Sequence, residues 1–169
     1  MNVKVAVDYI DEVANRLIES SPLGEDLTSD QRAALAAVVR VAGLKAGDFL
    51  LKEGEVDDSL HVLVTGRLEV VKQDQGGEYV TLHVLQPGDM AGELGFIDGK
   101  PHSATLRAAQ NSEVFIIHRS DLESLITQQP ELVYKVMRAI VRAVHKTLGR
   151  MNFQYVQLTD YITHQHGRY

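Results

Sequence analysis

There is no cysteine among the 169 residues. That absence excludes a disulfide framework, cysteine-ligated zinc and a thiol nucleophile. No apolar run approaches the roughly 20 residues of a membrane-spanning helix. The opening residues, MNVKVAVDYIDEVANRL, alternate apolar and charged side chains, which is not the pattern of a signal peptide. Positive charge is in deficit as well. The formal net charge is -6, which argues against a general nucleic-acid binder, because duplex binding draws on clustered Lys and Arg. A long-period repeat and a low-complexity linker are also missing. These absences leave a soluble, cytoplasmic chain, one domain plus an appendage, long enough for a hydrophobic core.

What is present falls into helices, a strand-rich middle and helices again. Val7, Ile10, Val13, Ala14, Leu17 and Ile18 recur at helical spacing, and Pro22 with Gly24 ends that helix. Thr28 and Gln31 form a capping box. The following helix carries Leu35, Val38, Val39 and Ala42 on one face and closes at Gly43. From Gly47 the period changes to two. In SLHVLVTG, Leu60, Val62 and Val64 share a face; in EYVTLHVL, Tyr79, Thr81 and His83 oppose Val80, Leu82 and Val84. Strands resume over 103–109 and 113–118. Short strands between Gly-rich turns predict an antiparallel roll or barrel. Ser120 and Glu123 form a second capping box, and Pro130 opens a last helix expected to run to about Leu158. Its apolar residues, Val133, Met137, Ile140, Val144, Leu148, Met151, Tyr155 and Leu158, step by four and three with one extra four, a coiled-coil seam with a stutter. A homodimer along this seam is expected; a helix folded back on its own domain is the competing reading.

GELGFIDGKPHSATLRA, residues 92–108, carries the chemistry. Gly92-Glu93-Leu94-Gly95 follows a strand and starts a short helical turn. The first turn of a helix offers free backbone N–H groups and a partial positive charge, which suit a phosphate. Together with AGDFLLKEGEVDDSLHVLVTGRLEVV and LQPGDMAGELG, and with the helices that follow, this stretch resembles the cyclic-nucleotide-binding domain of the catabolite-activator-protein (CRP/FNR) superfamily. The resemblance covers roughly 23–155. It implies a mostly β fold with flanking helices (α+β): N-terminal helices over 1–44, an antiparallel β-roll or jelly-roll over 45–119, C-terminal helices with a dimerisation helix over 120–158, and a tail over 159–169.

It also implies a ligand, cAMP or cGMP, and a site. Glu93 would hold the ribose 2′-hydroxyl; a plain role in capping the turn competes with that. Gly92, Leu94, Ser103 and Ala104 would complete the phosphate cradle. The family has Arg-Ser-Ala or Arg-Thr-Ala where this chain has His102-Ser103-Ala104. Histidine lacks the planar guanidinium fork and carries full charge only when protonated. If His102 faces the phosphate, affinity is expected to rise as pH falls from 8 toward 6. Ser103 in place of Thr tilts the reading toward cAMP. Met90 and Ala91 would wall the base, and Thr147 falls where some members place a hydroxyl; an ordinary helix residue is the simpler reading of Thr147.

Only about a dozen residues follow Leu158, too few for a helix-turn-helix, so a stand-alone sensor without direct DNA binding is expected. Lys135, Arg138, Arg142, Lys146 and Arg150 form a basic stripe on the last helix. It reads either as a dock for an acidic partner, such as the Asp8, Asp11, Glu12 and Glu19 face of the first helix, or as a solvated face. Enzyme chemistry finds little support. His83 lacks the His-x-His spacing of a cupin metal site; His61, His102 and His118 could in principle gather, but lone strand histidines are more often surface or satisfied core residues; His164 with His166 lies in the tail. No metal or prosthetic group is implied. The alternative to a nucleotide sensor is a degenerate domain that serves as a dimeric protein-interaction scaffold.

Overall fold

A computed structural model describes residues 14–166, with side chains to residue 163. The positions Val7, Ile10 and Val13 of the expected first helix and its acids Asp8, Asp11 and Glu12 lie outside the described residues, as do the side chains of His164 and His166. Helix α1 is described over 14–19 and stops in a turn over 22–26. That turn folds back on the helix end and requires a glycine: a Cβ on Gly24 would fall 2.1 Å from the Ile18 carbonyl oxygen. Helix α2 spans Ser29–Ala36 and opens on the expected box, with Thr28 N–H donating to Gln31 Oε1 (3.1 Å) and Gln31 N–H donating to Thr28 Oγ1 (3.3 Å).

The helical reading of 38–43 is corrected. The chain leaves α2 at Ala36, and strand β1, Arg40–Leu44, pairs antiparallel with β8, Ser112–His118, with Val41 opposite Phe115. The β-branched run Val38-Val39-Arg40-Val41 fits a pleated surface better than a helix interior. Gly43 is thus a strand residue and not a helix end. The remaining strands are β2 Phe49–Leu51, β3 Ser59–Thr65, β4 Leu68–Gln73, β5 Tyr79–Leu85, β6 Met90–Ala91 and β7 Thr105–Ala108, with helix α3, Glu93–Asp98, between β6 and β7. They form two four-stranded antiparallel sheets, β1-β8-β3-β6 and β2-β7-β4-β5. The mixed fold is the one the sequence predicted, a two-sheet roll flanked by helices.

Strand alternation divides the core in two. Leu60 and Val62 of β3 and Phe115 and Ile117 of β8 face the helices, where they meet Ile18, Leu35, Phe96, Leu132, Val136 and Ile140. Leu63, Leu68, Leu85, Leu106 and Val114 fill the space between the sheets. Helix α4 covers Arg119–Ser124. Its N-cap is His118 and no side chain caps it, so the expected box at Ser120 is not formed. Ser120 already lies inside the first turn.

Helix α5 starts at Pro130 as expected but runs to His166, 37 residues and about 55 Å. Nothing in Thr159–His166 breaks it; the next glycine is Gly167. Its first half is anchored, with Leu132, Val136, Ala139 and Ile140 buried. Its second half is not: Leu148, Met151, Tyr155 and Leu158 are 54–73% exposed. No helix among the described residues is long and apolar enough to cross a membrane.

Candidate functional site

The short β6 delivers the chain to Gly92, which takes φ +82 and caps α3. A glycine is required twice over there. The left-handed backbone penalises a side chain, and a Cβ would lie 2.7 Å from the Ser59 carbonyl oxygen. Helix α3 therefore sits directly on β3, and Glu93 emerges at its first position, the turn whose free N–H groups favour negative charge.

Glu93 lines a cleft of about 150 Å³ between the roll and α5. The roll side is Leu85, Gly88, Asp89, Met90 and Glu93; the helix side is Ala139, Arg142, Ala143, Lys146, Thr147 and Arg150. Met90, Glu93 and Thr147, three of the residues picked from sequence, thus line one cavity. Burial pushes the Glu93 carboxyl above the usual range, Asp89 adds repulsion, and Arg150 pulls it partly back. A carboxylate held at that cost, in a cleft, has the signature of a functional group.

The other expected site residues lie around this cleft without lining it. Gly92 is the turn beneath Glu93. Ala91 faces the inter-sheet core and pairs with His61. Leu94 is 61% exposed on the outer side of α3. Ser103 is exposed, its carbonyl accepting from Lys72 Nζ (3.2 Å), and Ala104 is half-buried beside it.

His102 is fixed by two backbone bonds, its N–H donating to Glu55 O and its carbonyl accepting from Gly54 N–H, both 2.9 Å. Its ring tucks under α3, so that a Cβ on Gly95 would be 3.0 Å from Cε1. Its Nε2 is buried with no hydrogen-bond partner. The ring does not line the cleft, so this placement lends no support to a titrating phosphate contact.

Beneath α3 the strand histidines do gather. His61 is 4% exposed, its Nδ1 buried without a partner below Gly92, and its Nε2 is 4.0 Å from Asp57 Oδ2. Burial drives its pKa down to about 4; Asp57 opposes this, while His102 and His118 reinforce it. His118 accepts at Nε2 from Arg40 (3.2 Å), which leaves Nδ1–H to donate to Ser59 Oγ (2.8 Å). Among the described residues no group of three His, Asp or Glu side chains could hold a metal.

The basic stripe on α5 has partners within the chain. Arg138 and Arg142 reach Asp26, Arg142 also reaches Glu25, and Lys146 pairs with Asp89 at 3.2 Å. These acids belong to the turn after α1 and to the β5–β6 turn; of the expected acidic face only Glu19 is among the described residues, and it pairs with Arg32. Arg107, which reads as a solvated strand residue, makes a two-nitrogen pair with Glu69 (2.9 and 3.3 Å) and lies over the Tyr79 ring.

Residues 42–129 match the family model described as the cyclic nucleotide-binding domain. Human patatin-like phospholipase domain-containing protein 6 is 31% identical over 110 residues, 64% of this chain and 8% of that protein. A CRP-like cAMP-activated global transcriptional regulator from Mycobacterium tuberculosis is 25% identical over 115 residues, 68% of this chain and 51% of that protein. The chain therefore spans a small part of the first relative and about half of the second. The crystal structure of a cyclic nucleotide-binding domain from Methylobacillus flagellatus superposes with TM-score 0.74 over 92% of this chain and 85% of that one, at 23% identity, and so shares the fold. The matched stretch takes in both sheets from β1 to β8, α3 with its glycine cap, and α4, and it covers more than half of the chain. This chain belongs to the cyclic nucleotide-binding domain family, a family of non-catalytic regulatory modules.

Proposed function

We propose that the chain is a cyclic-nucleotide sensor whose ligand enters the cleft between roll and α5. The observation that carries this is Glu93, a half-buried, costly carboxylate on a glycine-capped helical turn, lining a cavity between the roll and α5. The ribose hydroxyl would donate to Glu93, and the cyclic phosphate would lie along 92–104, over the α3 N–H groups and Ser103. The base would face Met90 and Thr147 on the α5 side. Ser103, and a relative whose name records activation by cAMP, favour cAMP over cGMP. A cleft of about 150 Å³ is small against the roughly 300–1,000 Å³ of ligand pockets. Entry therefore requires α5 to shift, and ligand binding biases α5 by its differential affinity for the two placements.

Thermal unfolding with millimolar cAMP, cGMP and 5′-AMP tests the reading. Ligand at 100 times its Kd stabilises by about 2.7 kcal/mol, or roughly 5 °C at this size. A shift selective for the cyclic nucleotides is expected in wild type, and His102→Arg tests whether a guanidinium at that position adds to it. No shift in either protein leaves the scaffold reading.

The output runs through α5. Its exposed Leu148, Met151, Tyr155 and Leu158 step by three, four and three, the spacing of a two-helix seam, and the occupant that fits is the same helix of a second copy. Light scattering is expected to give a dimer for the wild type and a monomer of unchanged helicity for the Leu148→Glu/Tyr155→Glu double variant. A wild-type monomer would rule the seam out.

A further inference from the structure

A second cavity, of about 270 Å³, lies between the end of α1 and the roll. It is not the nucleotide cleft; the two share one residue, Gly88. Its setting is a break in register. Between Leu63 and Thr65 the ladder of β3 with β8 slips by one residue, and Val64 is left without a partner across it. A bulge of this kind bends its strand, and Val64 lines the cavity. Val62 and Phe115 from the sheet and Leu17 from α1 complete the apolar wall. The polar hydrogens along it are spent. Leu63 N–H donates to Asp89 O (3.0 Å), and Gly88 N–H donates to Leu63 O (2.7 Å). Ser20 Oγ–H donates to Leu17 O (3.1 Å) and Ser21 Oγ–H to Ile18 O (2.8 Å). Each hydroxyl thus keeps lone pairs and has no hydrogen left to give. No charged side chain lines the cavity.

These features select a ligand. An apolar cavity of about 150 Å³ stays dry and takes up benzene, so one of about 270 Å³ has room for a fused pair of rings. An anion would lose its hydration there and meet no cation. Two hydroxyls that only accept call for a donor on the ligand. We infer that this cavity is a second ligand site, for a neutral aromatic molecule that carries one N–H or O–H donor and places it at Ser21, the buried one of the two serines. Indole has that form. The site stands on geometry separate from the nucleotide cleft, and neither reading requires the other.

Calorimetric titration of the full chain with indole, 1-methylindole and indole-3-carboxylate tests this. One-site binding of indole is expected, about 2- to 10-fold tighter than that of 1-methylindole, which keeps the rings and loses the donor; this is the range of one neutral hydrogen bond. Indole-3-carboxylate is expected to bind at least about tenfold more weakly than indole. Ser21→Ala erases the preference for indole over its methyl derivative, and Val64→Phe, which puts a ring into the cavity, removes binding. Amide shifts of the labelled wild type locate the site, with indole moving 17–21, 62–64 and Phe115; they also decide the matter should Val64→Phe fail to fold. The inference is overturned by the absence of saturable indole binding, by wild type that binds either derivative as tightly as indole, by a Ser21→Ala variant that keeps the preference, or by shifts centred on 139–150. Each of these results leaves the nucleotide site standing, because the test of that site is cAMP.

Discussion

Glu93→Gln is expected to lose about 10- to 100-fold in affinity for cAMP, while the unliganded protein melts no lower than wild type and by our account slightly higher. The two halves of that result share one cause. The Glu93 carboxylate is desolvated in the cleft and pressed by Asp89, and both raise its pKa. A group with a raised carboxyl pKa opposes folding at neutral pH, where it must be ionised against its surroundings, so a neutral amide of the same shape relieves the molecule. The same amide cannot accept a charge-assisted bond from a ribose hydroxyl with the strength of a carboxylate, a difference of about 1.5–3 kcal/mol. A residue kept only to cap the α3 turn would behave the other way, with stability falling and affinity unmoved. Calorimetric titration and thermal unfolding on the one variant separate the two roles.

Acid is expected to unfold this protein through His61. Its folded pKa of about 4 lies below the ordinary histidine value of 6.5 because the ring is buried under Gly92 with Nδ1 unpartnered. For a depressed pKa the contribution is fully present above the unfolded value. It fades as pH drops below about 6.5 and is gone below about 4, a total near 3 kcal/mol. That is a large share of the 5–15 kcal/mol typical of a domain. The loss falls on α3, because a protonated His61 beneath Gly92 places positive charge under the positive end of that turn. Nucleotide binding should therefore weaken with the fold as pH goes from 6 to 4. Urea unfolding at pH 7.5, 6, 5 and 4 checks this, with His61→Gln as the control that flattens the profile in that window. An unchanged slope in His61→Gln would assign the acid sensitivity elsewhere.

How much of this was readable beforehand differs from element to element. The roll was legible because period-two alternation and glycines near strand ends are local signals. Gly92-Glu93 was legible because a glycine after a strand and an acid in a first helical turn belong together wherever they occur. Strand β1 was hidden: Val38, Val39 and Ala42 continue the helical spacing of Leu35, and the pairing that makes the segment a strand is with β8, about 70 residues away. The false cap at Ser120 has a similar origin, since β8 carries on to His118, held by Ser59 and Arg40, and the helix begins at once. Glu93, Met90 and Thr147 were found from the family pattern, and the fold brings them to one cleft. His102 was identified as the departure from that pattern, yet the direction of its ring depends on the ladder with Gly54 and Glu55 and on Gly95, none of which a motif records. Arg150 looked like one more residue of a basic stripe. Among the described residues, Asp26, Glu25 and Asp89 pair with its neighbours, while Arg150 acts on Glu93, which lines the same cleft.

The most direct measurement is a backbone amide shift map of the isotopically labelled chain, titrated with cAMP at pH 7.5. The account predicts saturable shifts clustered at Gly92–Gly95 and Ser103–Ala104 on the roll, together with 143–150 on α5, all following one binding curve. Saturation confined to another surface, or a spectrum unmoved at millimolar cAMP, would contradict it.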